Sequence, residues 1–455
     1  MLIIHFDLLS KPIDPIFSKN KIDLQIYKNL QIDNLDYFWN MKIGIIREEK
    51  FPADKRVVFT PETCVKTVKR YPEIEFFIQK SEIRCFLDKE YSEKGFNVVD
   101  DVSNCDILIG VKEVPIEKLI PNKKYFFFSH TIKKQPYNKK LLQSIVKKNI
   151  QLYDHETIVD LNNNRLIGFG YYAGVVGAYN GFRGFGLKFN LFDIPRAIDM
   201  KDREELNKII SDLVIPNIKI LLTGKGRVGS GVREILDFMK IKEVSVNDYL
   251  EKEFNYPVYI NIDVLDYNHS VKAENTIENF YKNPELFLST FSKFNAVTDI
   301  FFAGHYHNPK APKLISNNDI SNDDFNIKLI ADISCDIDGP IASTIRPSTI
   351  NKPLYGFHKI NLEECDYLDN ESLVVMAVDN LPCELPRDAS EMFGEMFFNF
   401  VIPSFFNNDK EKILHNSRIT HNGNLTPRFR YLIDYISDWI LSFQAKVCSK
   451  SSSYI

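Results

Sequence analysis

Four polar residues follow stretches that we predict to be buried strands, and their types suit proton transfer. Lys112 and Glu113 end one apolar stretch, His130 ends the next, and Glu156 follows a third. Because parallel strands present their carboxyl ends along one edge, where ligands bind, we expect these side chains to converge. A lysine and a histidine beside two carboxylates can exchange protons near neutral pH. Each residue alone could equally be a solvated polar residue at a strand end. The prediction of a site therefore depends on all four residues following predicted strands.

A glycine-rich turn, 224–229, has the sequence GKGRVG and indicates a second kind of chemistry. It follows the apolar stretch 218–223 directly and opens a helical run at 232–239. Glycines at positions 224, 226 and 229 permit a tight bend and a close approach of the backbone to a pyrophosphate at the helix N-terminus. The order strand, turn, helix therefore predicts a dinucleotide-binding site.

Asp248 follows the next predicted strand, 243–246. An acid at this place accepts hydrogen bonds from the adenosine ribose hydroxyls and repels a 2′-phosphate, which favours NAD over NADP. Lys225 and Arg227 in the turn are cations that also suit an extra phosphate, so NADP stays the alternative. Asp248 has a structural alternative as well, as an acid that caps the segment after it.

Two arginines and two histidines could also bind ligands. Arg56 and Arg165 are candidates for binding substrate carboxylates, because a guanidinium binds a carboxylate through two parallel hydrogen bonds, although chemistry alone does not select these two among the arginines. A surface salt bridge is the alternative for each. His305 and His307 have strand spacing, but no cysteine or suitably spaced acid accompanies them, so we predict no metal site.

Composition narrows the class of protein. A net charge of −4 gives no electrostatic sign of a nucleic acid or an anionic membrane as partner, which favours small molecules. The seven cysteines form no CxxC pair, and no apolar run approaches the ~18 residues of a membrane span. We expect a cytoplasmic protein in which residues 1–40 are a poorly structured extension and Met41 is an alternative start.

The element pattern predicts an α/β fold. Residues 41–160 alternate short apolar stretches with helical periodicity, and a second strand-turn-helix unit begins near residue 218. Between them lies a segment rich in glycine and aromatic residues, 168–177. Its small residues predict a helix that packs closely against another backbone near a domain boundary.

Seven segments in order along the chain form a distinctive series. They are DKRVVFTP (54–61), GVKEVP (110–115), FFSHTIKKQPYN (127–138), LYDHE (152–156), RLIGFGYYAGVVGAYN (165–180), ADISCDIDGPI (331–341) and VDNLPCELPRDASEMFG (378–394). This series resembles the lysine-forming saccharopine dehydrogenases and the lysine-ketoglutarate reductase half of the bifunctional lysine-degrading enzymes. Both groups resemble the superfamily of alanine dehydrogenase and the transhydrogenase NAD-binding subunit.

The resemblance implies roles for individual residues. Lys112 and His130 would be the acid-base pair, and Glu113 and Glu156 would tune their protonation. Further residues would line the binding sites. For saccharopine these are Arg56, Gln135, Arg165 and Phe169; for the cofactor they are Gly224, Gly226, Arg227, Gly229, Asp248, Cys335 and Asp336.

The resemblance also implies a fold and an activity. We expect two Rossmann-like domains with parallel sheets flanking a central cleft: a catalytic domain from 41–180 and 345–455, and a dinucleotide-binding domain from 181–344. The expected reaction is the NAD(P)-dependent interconversion of saccharopine with L-lysine and 2-oxoglutarate, by hydride transfer and imine hydrolysis. The alternatives are an alanine dehydrogenase-like enzyme and a catalytically silent NAD-binding protein.

Overall fold

The computed structural model describes residues 40–437, which form two α/β lobes. We call the lobe around the sheet that starts at Met41 the first lobe, and the lobe around the sheet that contains Lys219 the second lobe. The predicted α/β class with parallel sheets is confirmed. Within the described range, no helix is both long enough and apolar enough to cross a bilayer.

The first lobe contains a sheet of six parallel strands. The elements of this part of the chain are β1 Met41–Ile45, α1 Pro61–Arg70, β2 Ile74–Gln79, α2 Asp88–Glu93, β3 Asn97–Val99, β4 Ile107–Ile109, β5 Lys124–Phe127, α3 Lys139–Lys147 and β6 Gln151–Asp154. The strands lie in the order β3-β2-β1-β4-β5-β6. Helix α1 has a proline, Pro61, as its first residue, and the Thr60 hydroxyl caps the helix by accepting the Thr63 N–H at 3.2 Å.

The second lobe contains an eight-stranded sheet. Its elements are α4 Gly170–Lys188, α5 Arg203–Ser211, β7 Lys219–Thr223, α6 Arg227–Phe238, β8 Lys242–Glu243, α7 Val246–Glu251, β9 Val258–Ile262, β10 Asn268–His269, α8 Ile277–Lys282, β11 Leu288–Ser289, β12 Ile300–Ala303, α9 Asn317–Ile320, β13 Leu329–Asp332, β14 Leu354–His358, β15 Glu364–Cys365 and β16 Ser372–Met376. The strands of the sheet lie in the order β15-β14-β16-β13-β12-β7-β9-β8, and β14 and β15 are antiparallel to their neighbours.

The expected segment boundaries at 180 and 345 do not coincide with the edges of the lobes. Helix α4 packs into the core of the second lobe, and strand β16 pairs with β13 there. The apolar stretch 372–376 extends the second sheet because pairing satisfies its backbone and buries its side chains. The chain returns to the first lobe along α10, Pro386–Met396, where Ala389 lies in the second-lobe core and Phe393 in the first-lobe core. Two small strands, β17 Thr420–His421 and β18 Asn424–Leu425, follow α11, Ile413–Ser417.

Helices α4 and α6 touch through their backbones, as the glycine-rich segment predicts. A Cβ atom at Gly174 would lie 2.0 Å from the Val228 carbonyl oxygen, and one at Gly231 would lie 2.0 Å from the Tyr171 carbonyl oxygen. Carbon and oxygen cannot approach so closely, so only glycine fits at these two positions. The contact sets the distance between the start of α4 and the start of α6.

Replacing Gly231 by alanine should therefore destabilise the protein by about 1–3 kcal/mol, because the added methyl group forces the two helices apart. Urea unfolding monitored by circular dichroism measures this. Ser230→Ala, an exposed neighbour in the same helix, is the matched control and should change the free energy of unfolding by no more than about 0.5 kcal/mol. Equal effects of the two substitutions would contradict the close helix contact.

Candidate functional site

A cleft of ≈ 770 Å³ lies at the carboxyl edge of β7 and has residues of both lobes in its walls. This volume is in the range of small-molecule sites. From the first lobe and the start of α4 come Lys133, Asn164, Arg165, Gly168, Phe169 and Gly170; from the second lobe come 224–228, Asp263, Val264, Tyr281, 304–307, Ser334 and Asp336.

The glycine turn has the geometry that a dinucleotide requires. Gly224 has φ +94°, and a Cβ there would lie 2.6 Å from the Gly304 carbonyl oxygen. A Cβ at Gly229 would lie 2.0 Å from the Gly224 carbonyl oxygen, so this glycine allows the helix to pack on the turn. No atom lies within 4 Å of the Cβ position of Gly226, which leaves its backbone open toward the cleft. Helix α6 starts at Arg227, so a pyrophosphate fits at its N-terminus.

Arg227 of the second lobe contacts Arg165 of the first lobe at the cleft. The Arg227 guanidinium donates a hydrogen bond to the Arg165 carbonyl oxygen. The Arg165 side chain is exposed to the cleft, donates to the Ile167 carbonyl at 3.0 Å and lies over the Phe128 ring at 5.4 Å. Arg165 therefore keeps guanidinium N–H groups available for a carboxylate.

The structure places Asp248, the acid predicted to bind the cofactor ribose, away from the cleft. Strand β8 is only two residues long, and Asp248 lies inside α7, where its backbone N–H donates to the Ser245 hydroxyl at 3.1 Å. Its carboxylate pairs with Lys252 at 2.8 Å. Asp248 lines a surface pocket with Tyr256, near the amino ends of the strands, and does not line the cleft. Ser245 is the N-cap residue of α7, so Asp248 does not cap that helix but lies in its first turn, where a carboxylate is favourable.

Asp263 is a cleft residue that we did not predict. It follows β9 directly and lines the cleft beside the glycine turn, where the Gly224 N–H donates to the Ile262 carbonyl at 3.1 Å. The apolar stretch 258–262 is the signal in the sequence that precedes it. Chain order alone does not show that β9, rather than β8, pairs with β7.

Lys112 is held by a carboxylate from the loop after β1. The two oxygens of Glu48 accept the backbone N–H groups of Val111 at 2.6 Å and Lys112 at 2.8 Å. Burial, followed by the positive charge of Arg56, lowers the pKa of Lys112 below its ordinary value. A lysine in this state loses its proton more readily than a solvated one, which suits a base.

Glu113 links the predicted acid-base histidine to a second lysine. Its carboxylate accepts from His130 Nδ1 at 2.7 Å and from Lys50 Nζ at 2.6 Å. Burial raises the pKa of Glu113, but the hydrogen bonds from His130 and Lys50 outweigh it and hold that pKa at about 2. His130 has φ +52°, and its ring stacks on Phe128 with centroids 6.2 Å apart.

Glu156 connects this cluster to the cleft. Its Oε1 lies 3.2 Å from Nζ of Lys133, which lines the cleft, and its Oε2 is buried without a hydrogen-bond partner in the described chain. The Glu156 N–H donates to Asp154 at 2.7 Å. Burial, with the charge of Glu156 adding to it, raises the pKa of Asp154 to about 6. Lys112, Glu113 and His130 thus gather at the carboxyl edge of the first sheet beside the cleft, but outside its lining.

The Arg56 guanidinium already has protein partners, so it is less available for a substrate carboxylate than an unpaired arginine would be. It is buried, and its guanidinium donates two hydrogen bonds to Asp54, at 3.0 and 2.6 Å, and one to Asn380 at 3.1 Å. It also lies over the Phe169 ring at 4.1 Å. The structure shows Arg56 supporting Phe169, which lines the cleft and stacks on Phe393. Gln135 lies outside the cleft lining, where its side-chain oxygen accepts from the Tyr137 hydroxyl.

The segment after β13 contributes Asp336 to the cleft, whereas Cys335 faces elsewhere. The Cys335 thiol donates to the Ala377 carbonyl at 3.0 Å, and burial raises the thiol pKa to about 12. His305 is buried with Nδ1 2.6 Å from the Thr223 hydroxyl, and burial lowers the pKa of His305 to about 3. Within residues 40–437 no group of three or more histidine, cysteine and acidic side chains is placed to hold a metal.

Two lobes, a glycine turn at a sheet edge and a cluster of ionisable side chains beside it define a two-lobed α/β protein with a dinucleotide-type cleft. Solved structures share this fold. L-alanine dehydrogenase matches over 88% of this chain and 99% of its own with a TM-score of 0.58 and 14% identity. The transhydrogenase from Sinorhizobium meliloti matches over 85% of this chain and 98% of its own with a TM-score of 0.52 and 14% identity.

Sequence comparisons point in the same direction. Residues 44–176 match the family model of the alanine dehydrogenase/PNT N-terminal domain. Alpha-aminoadipic semialdehyde synthase from Arabidopsis thaliana is 27% identical, over 86% of this chain and 41% of its own length, and the mitochondrial protein of that name from Rattus norvegicus is 27% identical over 91% and 50%. Saccharopine dehydrogenase [NAD(+), L-lysine-forming] from Yarrowia lipolytica is 26% identical over 77% and 89%.

These matches confirm the predicted resemblance to the saccharopine dehydrogenases and to the alanine dehydrogenase and transhydrogenase superfamily. The chain spans only half or less of the length of the two semialdehyde synthases that it matches.

The Glu113 pair has a measurable effect on stability. Because the pKa of Glu113 is about 2 in the folded chain and 4.5 ordinarily, its ion pair stabilises the fold above pH 4.5, and this stabilisation is lost as the pH falls toward 2. Between pH 5 and pH 3, the free energy of unfolding of the unmodified chain should fall by about 2 kcal/mol more than that of Glu113→Gln. Guanidinium unfolding at both pH values measures it, with the exposed Glu117→Gln as control. An unchanged pH dependence in Glu113→Gln would contradict the pairing.

Proposed function

We propose that this chain is a nicotinamide-dependent oxidoreductase of the saccharopine dehydrogenase type, which interconverts saccharopine with L-lysine and 2-oxoglutarate. One observation carries the proposal: a single cleft is lined by the glycine turn together with Arg165, Phe169 and Lys133, and Lys133 pairs with Glu156. The names and similarity of the relatives supply the substrate class. The cofactor that we propose is NAD, with NADP as the alternative.

The bound nicotinamide would accept or give the hydride. In the lysine-forming direction, the carbon beside the secondary amine loses a hydride and becomes an imine carbon. Water adds to it, and the carbinolamine collapses to lysine and 2-oxoglutarate. The last two steps move protons, so one base and one acid are needed at the substrate nitrogen and oxygen.

The residues of the first lobe suit these proton transfers. Lys112, whose pKa is lowered by burial, would take a proton as base, and His130 would return one as acid. Glu113 accepts from His130 and so fixes its ring and tautomer. Arg165 would bind a substrate carboxylate, and the aromatic pair Phe169 and Phe393 would exclude water from the reacting carbon.

The substrate pair distinguishes this function from its alternatives. NADH oxidation by the full chain should occur with L-lysine and 2-oxoglutarate together, and should be absent with ammonia and pyruvate. Activity with ammonia and pyruvate instead would indicate an alanine dehydrogenase. NADH binding without turnover of either mixture would indicate a silent nucleotide-binding protein. Running both mixtures with NADPH as well settles the cofactor.

Lys112→Met should reduce kcat by about 10²–10⁴-fold and leave the dissociation constant of NADH within about twofold, because the lysine acts on protons and not on the dinucleotide. Stopped-flow turnover and NADH fluorescence titration give the two values. The exposed Lys118→Met is the matched control and should resemble the unmodified chain. Loss of NADH binding in Lys112→Met, with turnover per bound cofactor unchanged, would overturn the role of Lys112.

A further inference from the structure

The order of strands in the second sheet places Asp263, and not Asp248, beside the glycine turn. Strand β9 pairs with β7, with Thr223 opposite Ile262, whereas β8 pairs only with the outer edge of β9. In dinucleotide-binding folds, an acid that bonds the adenosine ribose lies near the glycine turn, at the carboxyl end of a neighbouring strand. In this chain, Asp263 occupies that place.

We infer that Asp263 binds the ribose hydroxyls of the cofactor adenosine and that Tyr281 and Tyr306 hold its adenine, so that this end of the cleft selects an adenosine with a free 2′-hydroxyl. The inference rests on the proposed function, because it names the residues that decide which nicotinamide cofactor is used. Asp263, Tyr281 and Tyr306 all line the cleft with the glycine turn.

The Asp263 carboxylate is held in place by its own loop. Its Oδ1 accepts the Val264 N–H at 2.7 Å, and its backbone N–H donates to Asp266 Oδ2 at 2.7 Å. Asp263 is partly exposed in the cleft lining, so its carboxylate can also accept from ribose hydroxyls. A fixed, partly exposed carboxylate at this position repels a 2′-phosphate by charge.

Arg227 and Lys225, the two cations near the glycine turn, differ in how far they can offset the negative charge of Asp263. Arg227 is directed toward the first lobe, because its guanidinium donates to the Arg165 carbonyl and lies 3.3 Å from the Cβ position of Gly168. Lys225 is exposed in the cleft wall and is the cation of the turn that can still meet a phosphate. The balance between Asp263 and Lys225 therefore sets the preference at the ribose.

Two tyrosines extend the cleft beyond Asp263. Tyr281 and Tyr306 have 47% and 70% of their surface exposed, although both line the cleft. Asp263, Tyr281 and Tyr306 lie in the same cleft lining. Burial raises the pKa of Tyr281, and the charges of Asp263 and the Tyr306 phenol add to this shift. Exposed aromatic faces beside a ribose-binding acid suit stacking with a purine base.

Binding measurements with isolated variants test the ribose assignment. The unmodified chain should bind NADH more tightly than NADPH in fluorescence titrations. Asp263→Asn should weaken NADH binding by at least about tenfold, since it removes a charged hydrogen-bond acceptor. The dissociation constants of NADH and NADPH should then differ less than they do in the unmodified chain. Asparagine still caps the following turn, so the fold should persist, which circular dichroism verifies. Asp248→Asn is the matched control and should change neither affinity.

A separate binding experiment tests the adenine assignment. Tyr281→Leu should weaken the binding of AMP by about tenfold in calorimetric titrations, because a stacking face is lost. Tyr256→Leu, at a similarly exposed tyrosine near the amino ends of the strands, is its control. Binding of AMP that is insensitive to Tyr281→Leu overturns the adenine assignment.

The outcomes separate this inference from the proposed function. An effect of Asp248→Asn in place of Asp263→Asn, or tighter binding of NADPH than NADH by the unmodified chain, overturns the ribose assignment while the reaction stands. A chain that binds AMP through Asp263 but oxidises NADH with neither substrate mixture supports the ribose assignment and ends the proposed reaction. Absence of any binding of AMP, NADH and NADPH ends both.

Discussion

The backbone contact between α4 and α6 is the constraint on which the cleft depends. Helix α4 starts at Gly170 and α6 starts at Arg227, both in the cleft lining, and Gly174 and Gly231 let the two helices touch. Side chains at those two glycines would force the helices apart, because a carbon and an oxygen atom cannot lie 2.0 Å from each other. The position of the segment before α4 against the glycine turn, and with it the hydrogen bond from Arg227 to the 165 carbonyl, follows from this contact.

Two buried charges at the edge of the first sheet, Arg56 and Glu113, are held by close partners. Removing a carboxylate or a guanidinium from water costs several kcal/mol, which only close partners and hydrogen bonds offset. Arg56 is paired with Asp54, and Glu113 is paired with His130 and Lys50. These pairs also fix the orientation of the Arg56 guanidinium and of the His130 ring.

The sequence predicts the glycine turn well, but it does not show which acid lies beside that turn. Gly224, Gly226 and Gly229 act with residues that are their immediate neighbours along the chain, so spacing alone describes them. The acid beside the turn is placed there by the strand that pairs with β7, and neighbouring strands need not be consecutive. Asp248 is nearer to the turn along the chain, whereas pairing in the sheet places Asp263 beside it.

By itself, the sequence determined the local chemistry: the alternation of strand and helix, the glycine turn, the residues that end each strand and the resemblance to the superfamily. These properties depend on neighbouring residues and on the side-chain types that each strand end carries. Only the tertiary structure decided strand order, the position at which the chain returns to the first lobe through α10, and the partners of Glu113 and Arg56. Such contacts join residues distant in the chain, and they are set by which apolar faces and backbone edges bury one another, a balance that local spacing does not contain.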